Sequence, residues 1–458
     1  MTSDLQALLA AIVADPSDDV ARLIYADCLQ EHGNAARAEF IRLQIEAERH
    51  HPHSNTRADL DQRAYALFAA HWIEWWGEVC TAVGLPRPAR EPAGRFSRFA
   101  LRAGLRGMTG APYDFGSFAL GCDVRTQLGS DPSSKLAGWF RTGFRRGFPD
   151  SPSIALSSGW LAHRALPRWS SVSPVKTLGA RVPVRTFWND GPYLTGVRSL
   201  SLYDCDQTVL DAVLRSPHLA ALEDLSWWIN DGEDDDEVVY QFVDHTAMVM
   251  RYARLARLKR LALQVWTDQA ARAVASCAHL AGLVELEVSL AKDLSSGVGA
   301  ARRLLTLSRS PHLAGLRSLT ITGPFEANGI ESTIRYATWT GLRKLVLVAL
   351  RSESELNDLT PFSGPDNLPE LEEFRLMGVH LTPDQINILV RSPLLKRVKH
   401  YAHRGTYTDD FGSIIRLSEV VDPIKIETFS IEGNDIDLPP HLAAILREKF
   451  GDRLHFPF

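Results

Sequence analysis

"SPHLAGLRSLTITG", residues 310–323, contains the pattern that organises most of this chain. Its second half, Leu316-Arg-Ser-Leu319-Thr-Ile321, reads apolar, two polar, apolar, one polar, apolar. Two sister phrases repeat it, SPHLAALEDLSWW at 216–228 and CAHLAGLVELEVSL at 277–290. The pattern starts at Val197, Leu222, Leu258, Leu283, Leu316, Leu342, Leu371, Leu395 and Ile426, at intervals of 25, 36, 25, 33, 26, 29, 24 and 31 residues. Self-similarity with a period of roughly 20–50 residues marks a solenoid.

The physics of one copy is readable. Its closing apolar-x-apolar has the two-residue period of a strand with one buried face. The intervening TVLDAVLRS (208–216), QAARAVASC (269–277), ARRLLTLSRS (301–310) and TPDQINILVRS (382–392) space apolar residues three and four apart, as helices do. Ser-Pro then stops the helix, because the residue before a proline is pushed out of the α region. Each copy predicts one strand and one helix, whose apolar sides are buried when copies stack.

Positions five and seven of each copy turn away from that core. Position five holds Ser201, Ser226, Ala262, Glu287, Thr320, Val346, Arg375, Lys399 and Ser430; position seven holds Tyr203, Trp228, Gln264, Ser289, Thr322, Val348, Met377, Tyr401 and Glu432. Tyr, Trp, Met and Arg are enriched at protein interfaces. The candidate partner-binding set is Tyr203, Trp228, Gln264, Thr322, Val348, Arg375, Met377, Lys399 and Tyr401.

These features resemble the leucine-rich repeat family, in the form with a helix on the convex side, over about 170–440. The resemblance implies an α/β solenoid with strands on a concave wall that binds partners. It also implies Asn at position nine, where its side chain bonds the neighbouring coil. Here Cys205, Asn230, Trp266, Ala291, Pro324, Leu350, Val379, His403 and Asn434 stand there, so that ladder is mostly absent and uneven stacking is expected.

The N-terminal stretch is a different object. Residues 5–50 read as three helices, broken at Asp15-Pro16-Ser17-Asp18-Asp19 and at Gly33-Asn34. Ser17 or Asp18 is the candidate cap of the second helix, with Val20, Leu23, Ile24 and Leu29 as its apolar stripe. Phe40, Ile41, Leu43 and Ile45 supply the third. Asp15-Pro16, Asp18-Asp19, Arg22-Leu23, Tyr25-Ala26-Asp27, Glu31 and Arg37-Ala38-Glu39-Phe40-Ile41-Arg42-Leu43-Gln44 resemble the bacterial repeat-companion domain, with Cys28 where a Trp is usual. The same resemblance covers Phe144-Arg-Arg-Gly-Phe148, Leu166-Pro167 and Pro174-Val175-Lys176-Thr177-Leu178 as the entry to the repeats, and LREKFGDRLHF as a closing helix and strand. It brings no established activity. The expected organisation is a helical domain at 1–55, a connecting and capping segment at 56–165, and the repeat array with its C-terminal cap at 166–458.

Composition narrows the function classes. The 458 residues are 45% hydrophobic, and the formal charge of -5 disfavours a nucleic-acid binder as a whole. Five scattered cysteines argue for a reducing compartment. Leu8 to Ala14 lacks the basic start of a signal peptide, and no run approaches the roughly 20 apolar residues of a membrane span, so a cytoplasmic protein is expected.

One segment departs from the average. Residues 85–147 hold eleven basic against four acidic residues, with Arg95, Arg98, Arg102 and Arg106 at helical spacing. That stretch is either a solvated arginine face or a surface for an acidic partner, a membrane or nucleic acid. The acidic run at 230–237 lacks the alternating carboxylates of a calcium loop and reads as a solvated loop. His50, His51 and His53 lack a second ligand group, and Cys28, Cys122 and Cys277 lack an adjoining His/Asp pair. The turn histidines His218 and His312 read as structural. No catalytic, cofactor or metal residues emerge. The expectation is a non-enzymatic adaptor that recognises a protein, the alternatives being a regulatory subunit or enzyme with a site in 80–165, or membrane or nucleic-acid association through the arginines.

Overall fold

The computed structural model describes residues 3–15, 18–50, 55–83, 124–126, 138–145, 148–155, 168, 175–181, 185–189, 191, 194–203, 205, 207–228, 246–290, 297–323, 337–349, 368–378, 383–393, 395, 397–405, 418–419, 425–433 and 440–455. They fall into two compact units, Met1–Leu222 and Glu223–Phe458.

The first unit opens with α1 (Ser3–Ala14), α2 (Asp19–Glu31), α3 (Ala35–Glu48) and α4 (Asn55–Val83). Asp18 caps α2 by accepting from the amides of Val20 and Ala21, satisfying donors that the first turn leaves orphaned. Gly33, at φ 84°, makes the turn that Asn34 then follows as the cap of α3. The core of α1–α3 is Leu5, Ile12, Ala21, Ala26, Leu29, Ala38, Ile41 and Ile45. The stripe expected on α2 is therefore corrected: Val20 and Ile24 are 65% and 49% exposed. Alanines at 21, 26 and 38 let the helices approach closely, so small side chains occupy the seam instead of the two larger ones.

Residue 55, the expected end of the helical domain, is where the next helix begins. That helix, α4, packs on the other side of α3. Phe40 meets Phe68 and Trp75 at ring distances of 6.1 and 5.0 Å, and the Arg37 guanidinium lies 4.6 Å from the Trp75 ring centre. Such contacts add roughly 0.5–1.5 kcal/mol beyond area burial. Burial lowers the Arg37 pKa to about 10, with Glu78 and Tyr25 opposing the loss of its proton.

Five strands follow in this unit: β1 (Val124–Thr126), β2 (Gly138–Arg145), β3 (Phe148–Ala155), β4 (Thr177–Arg181) and β5 (Ser199–Tyr203). The first three are antiparallel neighbours, and β3 to β4 and β4 to β5 are parallel. Val175 and Leu178, entering β4, are buried. The segment expected to connect and cap thus contains α4 and β1–β3, of which β3 pairs in parallel with β4.

The second unit holds β6 (Asp224–Trp228), β7 (Arg260–Gln264), β8 (Glu285–Ser289), β9 (Ser318–Gly323), β10 (Lys344–Ala349), β11 (Glu373–Met377), β12 (His400–Gly405), β13 (Thr428–Gly433) and β14 (Leu454–His455). Each pairs in parallel with the next in chain order. Parallel pairing demands a crossover, and the four expected helices are all present, at Gln207–Arg215 in the first unit and at Asp268–Ala275, Gly297–Ser308 and Pro383–Arg391 in the second. Positions one, four and six of the motif form the core, Leu316, Leu319 and Ile321 for example. Each such side chain contributes roughly 1.5–3 kcal/mol.

One copy was misaligned by the sequence pattern. Tyr401 pairs with Phe374 and with Phe429, both position-four residues, so the copy expected at Leu395 begins at Val398. Its neighbouring intervals become 27 and 28 residues, more even than 24 and 31. The cause is a fourth apolar position, three residues before position one. Leu219, Leu255, Leu280, Leu313, Trp339 and Leu368 occupy it, all buried, and Leu395 is one of the series. With Tyr401 and His403 standing where leucines usually do, the pattern locked three residues early.

Six residues before position one comes a second ladder. Ser216 donates through its hydroxyl to the Trp188 carbonyl, Cys277 through its thiol to that of Met250, and Ser310 to that of Ala275. Each bond reaches about one repeat back along the chain. Thr338 bonds the Ser308 and Ser310 carbonyls at 3.1 and 3.0 Å. These small donors join successive helix ends. His218 adds a bond to the Asn189 carbonyl, which accounts for one turn histidine structurally.

Candidate functional site

Because the strands are in register, positions three, five and seven line up into rows on the face opposite the leucines. Arg260, Glu285, Ser318, Lys344, Glu373 and His400 follow one another at position three. Neighbours there have opposite signs: Arg260 lies 3.9 Å from Glu285 and Lys344 lies 3.6 Å from Glu373, with Arg375 also paired to Glu373. Partly exposed pairs of this kind are worth at most about 1 kcal/mol each, and like charges in adjacent strands would oppose the register. His400 meets the Thr428 hydroxyl at 3.0 Å and Glu427 at 3.6 Å. Burial holds its pKa below the ordinary value, while Glu373 and Glu427 pull the other way.

The expected partner-binding residues divide sharply. Gln264, Thr322, Val348 and Arg375 stand on this face, each partly open. Tyr401 is 1% exposed; it is a position-four core residue, stacked 5.6 Å from Phe429. Lys399 consequently belongs to position two, paired with Glu372 at 3.2 Å. Met377, 2% exposed, and Trp228 are also buried. Tyr203 ends β5, and its side chain lies outside the described residues. Of the anchors expected on the wall, Trp228, Met377 and Tyr401 are therefore buried, and the expected residues that stay partly open are Gln264, Thr322, Val348 and Arg375. Arg95, Arg98, Arg102 and Arg106, the acidic run at 230–237, and His51 and His53 lie outside the described residues.

The residue that sequence reasoning passed over is Glu287, at position five of β8. It has 8% exposure, between Ala262 of β7 and Thr320 of β9 in register. Burial raises its pKa to about 8, against an opposing pull from Arg260. One carboxyl oxygen of Glu287 and the hydroxyl of Thr322 are buried with no hydrogen-bond partner. The signal was present in the sequence: a charged residue in a row whose adjacent members, Ala262 and Thr320, carry no charge.

Among the described residues no group of three His, Cys, Asp or Glu side chains is placed to hold a metal, and no helix is long and apolar enough to cross a membrane. Neither the N-terminal head nor the repeats matches a family model, and the search of curated proteins gives no match. Two solved structures are similar in part. A Bacteroides fragilis protein is 14% identical, with a TM-score of 0.33, covering 71% of this chain and 95% of its own. An internalin from Listeria monocytogenes is 13% identical, with a TM-score of 0.28, covering 62% of this chain and 87% of its own.

Proposed function

We propose that the chain is a bacterial leucine-rich repeat adaptor, working in the cytoplasm without catalysis, that captures a protein partner on the strand face. The observation that carries this reading is the register of β6–β13. It aligns the side chains of positions three, five and seven into rows, the position-three row being polar or ionisable throughout, while the leucines behind them are consumed by the core. A face built from strands of many repeats is extended, rigid and variable residue by residue, which suits recognition of a macromolecule. The partner-binding set becomes Gln264, Thr322, Val348 and Arg375, with Glu287 added. Trp228, Met377, Lys399 and Tyr401 leave it, and Tyr203 keeps its place as a position-seven residue. The helical head is proposed to dock a second component.

The test is site-specific photo-cross-linking in native lysate. A photoreactive residue at Gln264 or Val348 is expected to yield one shared adduct, absent when the same group replaces Gln269 or Arg272 on the helix side. Adducts formed only from the helix side would refute the reading.

A further inference from the structure

Buried polar atoms normally find partners, and an oxygen without one is costly, roughly 1–3 kcal/mol. Two such atoms occur on neighbouring strands of the same face, in the Glu287 carboxyl and the Thr322 hydroxyl. The register places Thr320 beside Glu287 and Thr322 beside Ser289, so Glu287 and Thr322 are diagonal neighbours. A strand spacing of about 4.8 Å and a rise of about 3.3 Å per residue put their α-carbons roughly 8 Å apart. Flanking Ala262 and Thr320 carry short side chains.

The charged and polar groups facing Glu287 are few. Arg260 and Gln264 come from β7, Glu285 and Ser289 from its own strand, and β9 offers Ser318, Thr320 and Thr322. Arg260 is held toward Glu285 at 3.9 Å. No described cation is paired with Glu287, and its unused lone pairs accept rather than donate once the carboxyl is ionised.

We propose that Glu287 and Thr322 form the receptor for one cationic side chain, arginine or lysine, of the protein partner. This rests on the strand face being the binding surface. In the free protein at neutral pH the carboxyl carries its proton, consistent with a pKa of about 8. As the cation enters, that proton leaves to solvent, so one positive charge replaces another and the buried site stays neutral. The carboxylate then accepts from the incoming ammonium or guanidinium, and the Thr322 oxygen takes a second of its N–H donors.

The experiment follows the carboxyl carbon of Glu287 by NMR in full-length protein labelled at the glutamate side-chain carboxyl, assigned by the signal lost in Glu287→Gln. The probe is hexa-arginine amide, with hexa-citrulline amide as the uncharged control. Saturating hexa-arginine is expected to weaken the proton affinity of Glu287 at least tenfold, and the effect should shrink at least threefold in Thr322→Val. A change below tenfold, an equal change with hexa-citrulline, or an undiminished effect in Thr322→Val overturns the proposal. Cross-linking from Val348 separates the two readings. If Glu287→Gln captures the partner with undiminished yield, the binding face stands and the cation receptor falls. If the wild-type face captures nothing, the adaptor reading falls, and the hexa-arginine titration still decides for or against the receptor.

Discussion

Replacing Glu287 by Gln removes one titration while keeping shape and neutrality. The folded carboxyl has a pKa of about 8 against an ordinary 4.5, so between these values the folded state binds more protons than the unfolded. Stability then falls as pH rises, the reverse of the usual carboxylate. It is unaffected by this group below about 4.5, declines through neutrality, and reaches its full loss above 8. At about 1.4 kcal/mol per pK unit the full penalty is about 5 kcal/mol, of which about 4 kcal/mol accrues between pH 5 and 9. Urea unfolding of both proteins at pH 5, 6, 7, 8 and 9 isolates the effect, since all other groups cancel in the difference. Glu287→Gln is expected to be comparable to or less stable than the parent at pH 5 and clearly more stable at pH 9. Two curves that stay parallel within about 1 kcal/mol would show that the carboxyl is solvated, and the case for its burial would collapse.

Three further substitutions test the architecture by thermal or urea unfolding. The Tyr401 hydroxyl is buried without a hydrogen-bond partner, so Tyr401→Phe should be neutral or stabilising by about 1 kcal/mol, whereas Tyr401→Ala should cost about 3–5 kcal/mol. A tolerated Tyr401→Ala would return that residue to the surface. Ser310→Ala removes the bond to the Ala275 carbonyl and should cost about 1–2 kcal/mol; no loss would deny the serine ladder its role. Gly378 sits at φ 68°, and an added β-carbon would lie 2.8 Å from the Ala349 carbonyl oxygen, so Gly378→Ala should cost about 1–3 kcal/mol or more. An unchanged midpoint would mean that the backbone there can relax.

The repeat unit was legible because burial imposes a period. Leucines at positions one, four and six must be apolar for each strand to have an inner face, so nine copies were countable from their spacing alone. The register of the copy at Val398 was not, because Tyr401 and His403 fill core positions and Leu395 offers a false start. The inter-repeat hydrogen bonds of Ser216, Cys277 and Ser310 were hidden for a different reason: their acceptors are backbone carbonyls of the preceding repeat, which no side-chain pattern reveals. The candidate face was only half legible. Strand alternation gave the rows except in the copy at Val398, where Lys399 and Tyr401 were misplaced, and residue type misled within them, since Trp228 and Met377 are as apolar as they are interface-prone and are buried here. Glu287 shows the converse. Its chemistry is a product of burial between neighbouring strands, and burial of a glutamate is not written in its own identity. At the head, Val20 and Ile24 show that an apolar stripe at helical spacing leaves the phase of the helix open when alanines compete for the seam.

The most direct measurement is where a photoreactive side chain meets the partner. Placed in turn at Gln264 and Val348 on the strand face, and at Gln269 and Arg272 on the helix Asp268–Ala275, it reports contact within a few ångströms in native lysate. A single adduct common to Gln264 and Val348, identified by mass spectrometry and missing from the other two, is the predicted result. The same protein cross-linked from Gln269 and Arg272, with the strand-face positions silent, would contradict the account.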